Sequence, residues 1–205
     1  MKWAIRIAGA IVGLVIVSLL GLWMASNRRD AGRMRASIEI ERAPEEIWPW
    51  LTEPEQLTQW VRWLKEVRPD TTSPAEGIGH RETRVIDDPR RKAPRLEAGS
   101  ITLWEPPDQM GIHVEAPDDY EGDVLYTLTD LGNGRTRVEQ DGRFTYASRF
   151  AELLEPLVTP GAMRKMFDDM KRLKEKVEAL PEDPNQGVHD DDDSTSTAPA
   201  DSTGR

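Results

Sequence analysis

The 205-residue chain contains no cysteine, which excludes disulfide staples, thiolate metal sites and a cysteine nucleophile. It leaves the compartment open, because reducing and oxidising sides both tolerate a cysteine-free domain. Histidine is scarce: His80, His113 and His189 are the only three, without the local pairing that zinc ligands show. No serine-nucleophile motif, phosphate loop or dinucleotide fingerprint is present, and Gly77-Ile78-Gly79 reads as a turn. Internal repeats are absent. Basic residues are outnumbered, 27 Lys and Arg against 37 Asp and Glu, for a net charge of -10. Phosphate backbones are held by Lys and Arg displacing counterions, so nucleic acid is not an expected partner. Phenylalanine and tyrosine number three each against seven tryptophans, and Trp48, Trp50, Trp60 and Trp63 fall within sixteen residues.

What charge there is lies unevenly. Residues 1–35 carry +5, the stretch from Pro181 onward carries -6, and the body between them holds -9. Near the N-terminus, residues 7–25 read IAGAIVGLVIVSLLGLWMA, nineteen positions without a charge. At about 1.5 Å per residue, such a helix nearly matches a hydrocarbon core of roughly 30 Å. Trp3 and Trp23 stand at its two ends, where amphipathic rings favour the interface. Lys2 and Arg6 can snorkel from one side, and Arg28 and Arg29 follow the other. A cleaved signal peptide is the competing reading, but its apolar run is typically about 7–15 residues, with small residues before the cut. Here a cut after Ala25 would leave bulky Trp23 three positions back. The expectation is a transmembrane anchor over 1–27 and a single-pass protein of the cell membrane. Arg28, Arg29, Arg33 and Arg35 outweigh the N-terminal flank, so the positive-inside bias puts the domain in the cytoplasm.

A basic connector, 28–33, leads into the domain. Even residues 26–35 fully extended span at most about 35 Å, which keeps the domain near the lipid. The connector arginines either touch anionic headgroups or serve only as topology charges. Residues 34–40 then alternate as a strand, with Ile38 and Ile40 on one side and Glu39 and Glu41 on the other. Pro44 opens a short helix with Glu45 and Glu46 at its positive end. A second helix starts near Pro54, with Leu57, Trp60 and Val61 at helical spacing. Successive antiparallel strands are predicted over 66–146, and Gly132-Asn133-Gly134 is the strongest hairpin signal among them. The last element is a helix over 148–180, with Pro160-Gly161 expected to kink or split it. Residues 181–205 hold too few apolar side chains to offset ordering entropy and are expected to be disordered.

The order strand, two short helices, antiparallel strands, long helix resembles the START-like (SRPBCC) superfamily, which includes polyketide cyclase/dehydrase-type and Bet v 1-like proteins. The likeness is carried by Ile38-Glu39-Ile40-Glu41-Arg42-Ala43-Pro44-Glu45-Glu46-Ile47-Trp48 and by Leu51-Thr52-Glu53-Pro54-Glu55-Gln56-Leu57 with Trp60. Gly134-Arg135-Thr136-Arg137-Val138 and Leu173-Lys174 with Glu178 continue it, so that it spans about residues 34–180. The resemblance implies an α+β helix-grip fold, a curved antiparallel sheet around the long helix enclosing an apolar cavity. It also implies binding of lipids, sterols, polyketides or isoprenoids, or, in some members, catalysis. No residue set here matches a cyclase active site, and most of the family lacks an anchor.

Candidate site residues follow from side-chain chemistry on the expected cavity wall. Tyr126 and Tyr146, with Gln140 and Phe144, either fix the polar end of an apolar ligand or are satisfied core and rim residues. Met163, Met166 and Met170 with Phe167 form either a pliable cavity stripe or ordinary packing. Trp48, Trp50, Trp60 and Trp63 are core or cavity-mouth residues. His80, Glu82 and Arg84 share one face of a strand. Facing the cavity they can polarise a carbonyl, and facing water they are only charged surface. His189 beside Asp190, Asp191, Asp192 and Asp193 reads as solvated tail, so no metal, cofactor or catalytic residue is assigned. Membrane-tethered binding of a hydrophobic small molecule is the expected function; an enzyme using the same cavity and a protein-interaction adaptor are the alternatives.

Overall fold

A computed structural model describes residues 2–26, 31–89 and 91–181. The expected disordered tail falls outside these residues apart from Pro181, as do residues 28–30 of the connector. The first helix, α1 (Lys2–Ser26), includes the 21-residue stretch Arg6–Ser26 with mean hydropathy 2.4, none of it buried. It is the one helix among the described residues long and apolar enough to cross a membrane, a test that a signal sequence also passes.

The domain begins with β1 (Arg33–Ile40), followed by α2 (Pro44–Thr52) and α3 (Pro54–Trp60). Six more strands follow: β2 (Leu64–Pro69), β3 (Arg81–Ile86), β4 (Arg95–Glu105), β5 (Gln109–Ala116), β6 (Tyr120–Gly132) and β7 (Arg135–Tyr146). The chain then closes with α4 (Arg149–Glu178). All seven strands form one antiparallel sheet in the order β1-β7-β6-β5-β4-β3-β2. Consecutive strands pair as a meander from β2 to β7, and β1 returns to the free edge of β7. This is the helix-grip α+β fold.

Local chemistry explains the elements. Pro44 and Pro54 occupy first-turn positions of α2 and α3, where the missing N–H costs nothing. Glu46 reaches back to accept the Ala43 N–H at 3.1 Å. Between β6 and β7, Asn133 and Gly134 have φ of 55° and 65°, the positive pair that a tight hairpin turn requires. Ser148 caps α4 by accepting the Ala151 N–H at 3.1 Å. The helix runs through Pro156 and Pro160 as one element, so the proline pair does not split it. Its far end is tied to β1, because Glu178 accepts the Glu41 N–H at 2.7 Å and the Lys174 ammonium at 2.5 Å.

One apolar core joins the layers. Met170, Leu173 and Val177 of α4 share one buried cluster with Ile47, Leu51, Leu57 and Trp60 of α2 and α3 and with Ile40, Ile112, Tyr126, Leu128 and Val138 of the sheet. Each large side chain so buried contributes about 1.5–3 kcal/mol. Gly122 and Gly142 lie in the sheet beneath Phe144, where a Cβ on either would come within 2.6 Å of the ring. Bare backbone there lets an aromatic ring lie flat on the inner face.

Candidate functional site

A cleft of about 330 Å³ opens between α2, α3, the segment before β3, and strands β3 to β5. Its apolar walls include Trp48, Leu51, Leu57, Ile101, Trp104 and Met110, and its polar lining is Thr52, Glu53, Glu76, His80, Glu82 and Arg84. The sequence builds each wall by periodicity. In α2, Ile47, Trp50 and Leu51 point inward, leaving Trp48 to meet Trp104 of β4 edge-to-face, ring centroids 5.2 Å apart. Gly77, at φ +82°, brings the loop within reach of the same indole, 3.8 Å from where a Cβ would stand. Alternation along β3 then places Glu82 and Arg84 inward together. Of the two readings for His80, Glu82 and Arg84, the structure selects the one facing the cleft: Glu82 is only 7% exposed.

The polar side is closely organised. The Glu82 carboxylate accepts the Arg84 Nε–H at 2.5 Å. Gly99 faces it on β4, and a Cβ there would sit 3.1 Å from Glu82 Cγ, so glycine makes the room. His80 Nδ1 lies 2.7 Å from the Pro74 carbonyl. A carbonyl can only accept, so Nδ1 carries the proton and Nε2 is left as an acceptor in the neutral ring. Nε2 points toward Glu82 at 4.0 Å, too far for a direct hydrogen bond and right for a bridging water or ligand group.

Charge continues along the inner face beyond the cleft. Arg84 pairs in register with Glu97, which accepts a hydrogen bond from the Tyr120 hydroxyl. Arg95 donates to the same hydroxyl at 2.8 Å and lies 4.8 Å over the Tyr120 ring. The Arg95 Nε–H is buried without an acceptor. Burial works against the Arg84 charge, but Glu82, Glu97 and Tyr126 outweigh it and hold the guanidinium above its usual range. Burial, reinforced by Glu97, pushes the Tyr120 phenol up. Burial also lifts Tyr126, to about 12, against the pull of Arg84. Both phenols therefore stay neutral donors at physiological pH. Among the described residues no three histidine or carboxylate side chains converge to hold a metal.

The residues singled out in the sequence are placed as follows. Tyr126, Gln140 and Phe144 come together on the inner face, Tyr126 opposite Gln140 and Phe144 edge-to-face with Tyr120 at 5.6 Å. Trp60 is buried, its indole N–H donating to the Trp50 carbonyl at 2.7 Å and so fastening α3 to α2. Tyr146 is half-buried near Glu155 and Thr159 of α4, and burial, then Glu155, raises its phenol. Met166 and Met170 are buried, whereas Met163 and Phe167 are 40% and 42% exposed. None of these nine lines the cleft. Trp48, one of the four tryptophans expected in the core or at the cavity mouth, does line it, whereas Ile101, Trp104 and Met110 carry no sequence signal as site residues, because nothing local marks a tryptophan on β4 as the partner of one on α2.

Sheet, grip helix and a cleft walled by indoles and aliphatic side chains define a hydrophobic-ligand-binding fold of the START-like class. A family model described as "Polyketide cyclase / dehydrase and lipid transport" matches residues 31–178. The chain belongs to that family. Among solved structures it is similar to a START superfamily protein from Mycobacterium smegmatis, with a TM-score of 0.60, 14% identity and coverage of 71% of this chain and 97% of that one. A conserved protein from Geobacillus kaustophilus gives a TM-score of 0.59 at 15% identity, covering 71% and 94%. A protein from Thermus thermophilus gives 0.57 at 20%, covering 71% and 96%. At these identities the likeness concerns the fold alone. No curated protein matches the sequence significantly.

Proposed function

We propose that this protein is a membrane-tethered binding module that holds one small apolar molecule, or the apolar part of a larger one, in the cleft beside α2 and α3. The observation that carries the reading is the cleft itself: indole and aliphatic walls closed on one side by Glu82 and Arg84. Pockets for small ligands combine mostly apolar lining with a few placed polar groups, and about 330 Å³ lies at the small end of their range. Lipid, isoprenoid and polyketide-like molecules with one carbonyl or hydroxyl suit such a lining. The polar atom would meet Arg84 or His80, and the chain would lie against Trp48, Leu51 and Trp104. Tethering through α1 keeps the domain concentrated at the bilayer where such molecules reside, and the flanking arginines put it on the cytoplasmic side.

A second reading, catalysis in the same cleft, is favoured by one specific observation. A buried carboxylate stands 4.0 Å from an imidazole nitrogen available as an acceptor, an arrangement able to move a proton on a bound carbonyl compound. Photoreactive fatty-acid, isoprenoid and aromatic-ketone probes added to the full chain in nanodiscs test the binding reading. Crosslinks are expected in the peptides holding Trp48 to Leu57 and His80 to Arg84. Labelling confined to α1 refutes it. Conversion of a carbonyl probe, lost in Glu82→Gln, would favour the enzyme.

A further inference from the structure

The first half of α4 is turned inside out. Its buried residues are polar, Glu155 at 3% exposure and Thr159 at 5%, while Phe150, Leu157 and Val158 are exposed at 70%, 68% and 55%. At about 100° per residue, Phe150 and Leu157 fall on one side of the helix, and Glu155 and Thr159 fall roughly opposite. A helix of a water-soluble domain shows the reverse arrangement. The second half does so, with Met170, Leu173 and Val177 buried and Lys171, Glu175 and Lys176 exposed.

The inverted half lies where the chain leaves α1. Helices α1 and α4 touch. Glu155 accepts the Gly32 N–H at 3.2 Å and the Thr159 hydroxyl at 2.5 Å, which ties the residue just before β1 to this part of α4. The apolar stripe is therefore held beside the end of the apolar helix α1. From Phe150 to Met163 the sequence carries no Lys or Arg and only Glu152 and Glu155 as charges. Attraction to acidic headgroups cannot hold such a segment on a surface, whereas burial of Phe, Leu and Val can.

We propose that the first half of α4 is a second membrane contact: it lies in the bilayer interface with Phe150, Leu157 and Val158 turned into the acyl region, docking the domain against the lipid. The inference rests on α1 crossing the membrane, and it adds a fixed orientation to a tether that alone would leave the domain free to turn. Interfacial helices sink about 5–10 Å into the headgroup–acyl boundary. The glutamate–threonine pair on the other side stays with the domain, bonded to Gly32 and not presented to lipid.

The cysteine-free chain allows an environment-sensitive fluorophore to be placed at one introduced cysteine in the full protein, reconstituted in vesicles that contain spin-labelled lipids. Leu157→Cys and Phe150→Cys should be quenched at least about twofold more strongly than Glu175→Cys on the exposed second half, as an interfacial depth requires. The difference should persist at high salt and in vesicles of purely zwitterionic lipid. A Leu14→Cys label in α1 separates the two levels of the argument. Quenching at Leu14 without quenching at 150 and 157 overturns the docking and leaves the anchor intact. Absence of quenching at Leu14 overturns the anchor, and the docking falls with it. Quenching at 150 and 157 that vanishes with salt also overturns the proposal, because the contact would then be electrostatic adsorption.

Discussion

Removing the cation from the inner face should expose how the cleft is held together. Glu82 and Glu97 are each only 7% exposed, and Arg84 is the positive group between them, bonded to Glu82 at 2.5 Å. Two unit charges about 4 Å apart at an effective dielectric of about 20 attract by roughly 4 kcal/mol. Removing one partner of a buried pair typically costs about 3–5 kcal/mol, because the other charge stays buried without compensation. Arg84→Met should therefore destabilise the domain by about 3–5 kcal/mol, a large part of the total of roughly 5–15 kcal/mol usual for a domain. The double variant Glu82→Gln/Arg84→Met removes one of the two stranded carboxylates, leaving Glu97, and should recover about 1–3 kcal/mol of the loss. Urea unfolding of the full chain in nanodiscs, followed by tryptophan fluorescence, reads both numbers. A cost for Arg84→Met below about 1 kcal/mol, the level of an exposed ion pair, would refute the reasoning. It would mean that water reaches the guanidinium and that the polar side of the cleft is ordinary surface.

Other expectations concern the sheet, its titration and the joint to α4. Gly122→Ala places a Cβ 2.5 Å from the Arg143 carbonyl oxygen, a backbone atom that no rotamer change can move, so a loss of about 1–3 kcal/mol is expected in thermal melting. Because Tyr126 has its folded-state pKa raised from 10.0 to about 12, its contribution is fully present below pH 10 and disappears as pH climbs toward 12. Stability should fall through that window by on the order of 3 kcal/mol, and Tyr126→Phe should flatten this part of the profile when melting is followed against pH. Glu155→Ala leaves the Gly32 N–H and the Thr159 hydroxyl without their carboxylate. Faster amide exchange at residues 31–33 is expected, with a stability loss of about 1.5–3 kcal/mol.

The architecture was legible because it follows from local signals. Alternation marked β1, prolines at first-turn positions marked α2 and α3, and Gly132-Asn133-Gly134 marked the last hairpin. Each reads the same in the structure. The site was legible only in fragments. Alternation put His80, Glu82 and Arg84 on one face but gave no sign of which face, since that depends on the curvature of the whole sheet. The pairing of Trp48 with Trp104 joins positions 56 residues apart, a tertiary closure with no local signature. Helical spacing made Met163 and Phe167 part of one stripe with Met170. The structure buries Met170 and leaves the other two partly exposed.

The central claim is that the cleft holds an apolar molecule, and blocking it is the most direct test. Ala75 lies on the exposed loop that borders the cleft, so Ala75→Trp fills the space without disturbing the core. Native mass spectrometry of the full chain released from nanodiscs is predicted to show one small apolar adduct per wild-type chain and none on Ala75→Trp of equal thermal stability. A wild-type chain that carries no adduct, or an adduct that persists in equal amount on the blocked variant, would contradict the account.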